Sequence, residues 1–125
     1  MHRLNIFLEH IYEAAQQRGT TFESMLSEAR KMGYTGLECD LWRLSDCVNV
    51  RNLFESCGLN VASIYSMYDF LRDTPEKSLD GMKRHLETAA YFGAEKVLAI
   101  PGFFQPGDDL SLIHISEPTR LRRIS

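Results

Sequence analysis

Three times along this chain an amphipathic helix runs into a glycine and then into a short aliphatic strand. The passages read "KMGYTGLECDL", "SCGLNVASIY" and "YFGAEKVLAI". In each, Gly33, Gly58 or Gly93 stands where a helix C-terminus takes a left-handed residue, and a strand begins two or three residues later. The intervals between these glycines, 25 and 35 residues, are the length of one strand plus one helix. With the apolar run Leu4 to Leu8 in front, the predicted strands are Leu4 to Leu8, Thr35 to Asp40, Asn60 to Ser66 and Lys96 to Ile100. They are short, aliphatic and separated by helices, which predicts an α/β fold with parallel strands and crossover helices in the order β-α-β-α-β-α-β.

The helices carry their own start signals. In "TTFESMLSEARKM", Thr20 with Glu23 three residues on has the spacing of a capping box, and Phe22, Met25, Leu26, Ala29 and Met32 mark one buried face. A second helix near Asp46 to Cys57 places Val50, Leu53, Phe54 and Cys57 together. A third opens with Thr74 as cap and Pro75 at the first helical position, where a missing N–H costs nothing. Its predicted inner stripe is Leu79, Met82, Leu86, Ala89 and Ala90.

A doubly wound sheet and a (β/α)8 barrel share this grammar. A dinucleotide-binding sheet usually carries G-x-G-x-x-G after its first strand, whereas "FLEHIYEAAQQRGTT" offers only Gly19 after a polar connection. Charge argues against a nucleic-acid surface. Net charge is −3, and because residues 110–125 hold three arginines against Glu117, residues 1–109 carry 11 basic against 16 acidic side chains, a charge of −5. Cys39, Cys47 and Cys57 are odd in number and lack C-x-x-C spacing, so reduced, mostly buried thiols are expected. The apolar start is broken at Glu9 and His10 without a small-residue cleavage site, and no run is long enough to span a membrane. The expectation is a cytoplasmic protein with no membrane partner.

The ordered set "IFLEHIYEAAQQRG", "ARKMGYTGLECDL", "LFESCGLNVASIY" and "AAYFGAEKVLAIPG" resembles the sugar phosphate isomerase/epimerase family, whose members are xylose isomerase-like (β/α)8 barrels. The resemblance runs over roughly residues 3–104, and its most specific pieces are G-Y-x-G-L-E and G-A-E-K-V. It implies that residues 1–109 form the first half of such a barrel, truncated after the fourth strand, since a whole barrel takes about 250 residues. It further implies a parent enzyme acting on a sugar or sugar phosphate. There, carboxylates and histidine from later strands hold a divalent metal, and two glutamates move a proton between adjacent carbons. Nothing in this sequence matches those later positions, so the chain alone is expected to hold no cofactor and to be inactive. Base and enediolate-stabilising charge would be missing together.

In a barrel the reactive face lies at the C-terminal ends of the strands. That draws attention to Glu38 and Asp40, Trp42, Tyr65 to Tyr68, Pro101 to Phe104 and His10. Alternation puts Glu38 and Asp40 on one side of the second strand. Glu38 is expected either to bond a sugar hydroxyl or orient a metal ligand, or to cap neighbouring loop amides; Asp40 reads as a solvated loop residue. Trp42 is either an apolar wall for a sugar ring or packing over the rim. Tyr65 and Tyr68 can each offer stacking area and a hydroxyl to a polyol, and core packing explains one of them equally well. His10 follows the first strand, as a loop hydrogen-bonder or a ligand. His85, among Lys83, Arg84 and Glu87, reads as solvated.

Two other readings stand beside this one. A nonenzymatic half-barrel would bind a ligand or self-associate through its unpaired edge strands. An endonuclease acting on damaged DNA is built on the same barrel type, but the resemblance there implies metal-binding histidines at early strand ends, where "ECDLW" and "IYSMYDF" have none. The last segment breaks the grammar. "LSLIHISEPTR", from Leu110 to Arg120, resembles a translated sequencing-library adapter, and Pro118 with the alternating Leu112, Ile113 and Ile115 does not read as a helix. Residues 110–125 are therefore expected to be a non-native tail, and His114 no ligand.

Overall fold

The computed structural model describes residues 3–102 and 105–107. The tail at 110–125 with His114, and Phe103 and Phe104, lie outside the described residues. The described residues form an α/β unit of four parallel strands and four α-helices. Strand β1 (Asn5–Phe7) passes directly into helix α1 (Leu8–Arg18), followed by α2 (Phe22–Lys31), β2 (Gly36–Asp40), a 3-10 turn (Leu41–Leu44) and α3 (Cys47–Ser56). Strand β3 (Asn60–Met67), helix α4 (Pro75–Phe92) and strand β4 (Lys96–Ile100) complete it.

The strands lie side by side in chain order, β1-β2-β3-β4, every neighbouring pair parallel. A dinucleotide-binding sheet reverses direction at a switch point, and no such reversal occurs among these four strands. One apolar cluster takes Leu8, Ile11 and Ala15 from α1, Met25, Leu26 and Ala29 from α2, Phe54 from α3 and Ala89 from α4. Those side chains close on Leu37 and Cys39 of β2 and Val61 and Ile64 of β3. All four helices thus pack on one face of the sheet, and among the described residues no helix covers the other. The N-terminal ends of the outer strands are linked by an Arg3–Glu95 ion pair.

The glycine exits form as the sequence predicts. Gly93 closes α4 at φ 67°, its N–H bonding back to the helix, and a side chain there would strain the backbone. Thr74 caps α4, accepting from the Lys77 amide at 3.2 Å with Pro75 in the first turn.

Four expectations are corrected. Leu8 begins α1 instead of ending β1, so two helices separate the first two strands and His10 sits in the first helical turn. Helix α2 is capped by Thr21, whose hydroxyl accepts from the Ser24 amide at 3.1 Å, one residue later than the Thr20 and Glu23 pattern suggests. Only Cys39 is fully buried; Cys47 and Cys57 are free and half-buried. The largest difference is α4. Leu79 and Leu86 are each 55% exposed and Met82 is exposed too, while His85 and Ala89 are buried and Ser78, Gly81 and Thr88 turn partly inward. Of the five residues predicted for the inner stripe only Ala89 is buried, and small and polar residues supply the face that meets the sheet.

Candidate functional site

The C-terminal ends of β2 and β3 bring the predicted site residues into two groups. On the uncovered face, strand pairing sets Phe7 beside Glu38, Glu38 beside Ser63, and Asp40 beside Tyr65. The Ser63 hydroxyl donates to Glu38 Oε1 at 3.3 Å. Phe7 meets Tyr65 edge-on at 6.0 Å between ring centroids and meets exposed His10 edge-on at 5.6 Å. Glu38, Tyr65 and His10 therefore gather around Phe7. Burial pushes the Tyr65 phenol up to about 12, aided by the negative charges of Glu9 and Asp40 and by Cys39, and opposed by Arg43. Tyr65 is thus a hydroxyl donor over the whole neutral range.

Trp42 and Tyr68 belong to the second group. They line a cleft of about 900 Å³ between the 3-10 turn, the end of β3 and helix α4, with Asp40, Ser66, Lys77 and Arg84 on its walls. That volume is within the range of small-molecule sites, about 300–1,000 Å³. Asp40 is not a loop residue: it ends β2, and its carboxylate accepts from the Trp42 amide at 3.4 Å, starting the 3-10 turn. Trp42 is exposed, its indole against the Arg43 guanidinium at 4.3 Å.

Tyr68 is buried, and its hydroxyl lies 2.8 Å from His85 Nδ1. His85 Nε2 is 2.8 Å from the Ile64 carbonyl oxygen. A carbonyl only accepts, so Nε2 carries the hydrogen and donates to it, and Nδ1 accepts the Tyr68 hydroxyl. This corrects the solvated reading of His85, which is 3% exposed and pins α4 to β3. Its charged neighbours in sequence hid it. The signal was the spacing of Ser78, Gly81, His85 and Ala89, a small-residue row three and four apart. Gly81 belongs to that row because a Cβ there would stand 3.1 Å from the Tyr68 ring. Burial raises the Tyr68 phenol, partly countered by its bond with Ser66.

The divalent metal implied by the resemblance needs several acidic, histidine or cysteine side chains at one point. Among the described residues no group of three occurs. No helix of the described residues is long and apolar enough to cross a membrane. No protein-family model matches the chain, and no curated protein matches it.

Proposed function

We propose that the chain is the first half of a (β/α)8 barrel of the sugar phosphate isomerase/epimerase kind, contributing sugar-binding groups but not the acid, base and metal ligands of the reaction. The observation that carries this reading is the winding: four parallel strands in chain order, with every helix on one face. Barrel closure needs that arrangement, with the uncovered face turned inward. On that face Glu38 and Tyr65 supply an acceptor and a donor for a polyol, with Phe7 as apolar wall; Trp42, Tyr68 and His10 stand around the same strand ends. The parent substrate is a sugar or sugar phosphate, and the compartment is the cytoplasm. Residues 110–125 are read as foreign to that barrel. Reading the source DNA beyond the Asp109 codon tests the assignment. Further glycine-strand-helix units are expected, and an authentic reading frame that keeps "LSLIHISEPTR" and stops would overturn it. Purified chain given a divalent metal and a ketose phosphate is expected to show no turnover; turnover would refute the division of labour.

A second reading, self-association, rests on a specific observation. Met67 and Leu98 are 56% and 58% exposed at the uncovered face, and β1 and β4 each have one unpaired edge among the described strands. Unpaired edges beside bare apolar surface draw a second chain. A concentration-independent monomer in sedimentation velocity would count against it.

A further inference from the structure

We propose that Arg43 anchors a phosphomonoester at the C-terminal rim of the sheet. Arg43 is the one arginine among the described residues that is not exposed. Arg3, Arg51 and Arg72 have carboxylate partners in Glu95, Glu55 and Asp69. Arg43 has none among the described residues, and its Nε is buried without a hydrogen-bond acceptor. The two nearest carboxylates in sequence, Asp40 and Asp46, each three residues away, accept from the Trp42 amide and from Asn49 Nδ2.

Aromatic rings hold the guanidinium in place. Its carbon lies 4.4 Å from the Tyr12 ring centre and 4.3 Å from that of Trp42. Tyr12 is itself stacked on Phe22, 4.0 Å between centroids and 3° between planes. Cation–π contacts stabilise the charge, but they satisfy no N–H donor. A guanidinium's donors lie in its own plane and form a fork that matches phosphate or carboxylate oxygens in pairs. A planar cation held against two rings, with its buried Nε unpaired, is suited to receive an oxyanion. A phosphomonoester, close to a dianion at neutral pH, gains most from it. The acidic body, at −5 over residues 1–109, opposes a polyanion such as nucleic acid, leaving a small phosphorylated molecule as the ligand class. The anion site stands without the barrel reading. Joined to it, the phosphate at Arg43 becomes one end of a sugar phosphate whose hydroxyls reach toward Tyr65 and Glu38.

The chain has a single tryptophan, Trp42, in contact with the guanidinium, so its fluorescence reports on the site. Titration with inorganic phosphate is expected to change that signal saturably. Arg43→Gln should abolish the change, and Arg43→Lys, which keeps charge but loses the fork, should weaken binding about tenfold. Arg51→Gln, which removes an equal charge from α3, should leave it intact. Absence of a saturable phosphate response, or an Arg43→Gln variant that responds like the original, overturns the proposal; if Arg43→Gln misfolds by circular dichroism, undiminished binding by Arg43→Lys overturns it. A ketose phosphate and the unphosphorylated ketose complete the set. A response to both sugars with none to phosphate overturns the anchor while the sugar reading survives. A response to phosphate that no sugar phosphate improves upholds the anchor and sinks the sugar reading.

Discussion

The Tyr68 hydroxyl donates to His85 Nδ1 across 2.8 Å, and the same imidazole donates from Nε2 to the Ile64 carbonyl, so one side chain ties the β3 exit loop, helix α4 and strand β3 together. Removing the hydroxyl leaves a buried acceptor unpaired. Tyr68→Phe is expected to lower unfolding free energy by about 1–3 kcal/mol with an unchanged denaturant slope. Urea titration followed by circular dichroism checks this; a loss within error would mean that water reaches Nδ1.

Helix α4 gives an unusual contrast. Leu86 looks like core from sequence but is 55% exposed, whereas Leu26 of α2 is fully buried. Leu86→Gln should change stability by no more than about 0.5 kcal/mol. Leu26→Ala should cost about 2–5 kcal/mol. Comparable losses at the two positions would show that the outer face of α4 is covered in solution.

Cys39 sets an alkaline limit. Burial, then the charges of Glu38 and Asp40, push its thiol from 9.0 up to about 12. Between those values the unfolded chain has released the proton and the folded chain keeps it, so stability present below pH 9 falls as pH rises toward 12. The slope from this thiol approaches about 1.4 kcal/mol per pH unit. Unfolding curves measured at pH 8, 9.5 and 11 should therefore converge less steeply in Cys39→Ala than in the original chain. The same burial predicts that Cys39 is the last of the three thiols to be alkylated under native conditions.

Association should respond to the uncovered face. Met67→Glu with Leu98→Glu places like charges where the bare apolar surface is most exposed. Sedimentation velocity should show the original chain above monomer mass and the double variant at monomer mass. Two identical profiles would remove this face from the interface.

Much of the fold was legible because it rests on local rules. Gly33, Gly58 and Gly93 announce helix ends, since a left-handed residue is needed there whatever packs around it. Thr74 and Pro75 announce a helix start for equally local reasons. The site was legible only in part. Strand alternation correctly put Glu38 and Asp40 on one side of β2, but it could not show that Trp42 and Tyr68 line a cleft closed by the 3-10 turn and helix α4. His85 and Arg43 were missed for a shared reason. Sequence marks a charged or titratable residue as polar, and only the surrounding rings and helices reveal whether water reaches it.

The pairing of β2 with β3 skips a residue: Leu37 lies opposite Val61 and Glu38 opposite Ser63, leaving Ala62 extra. That single step lets Val61 and Ile64, three apart, both face the helices, and turns Ser63 and Tyr65 toward the open side. Strict alternation from Val61 would have buried Ser63 and expelled Ile64. Strand β3 therefore carries one removable link. A chain lacking Ala62 would read as a regular strand with the same residues on each face, giving up the bond from the Glu95 amide to the Ala62 carbonyl. Descendants and ancestors of this segment can differ in length by one residue there without changing what it presents, and an alignment that forbids a gap inside the strand would set every later position out of phase.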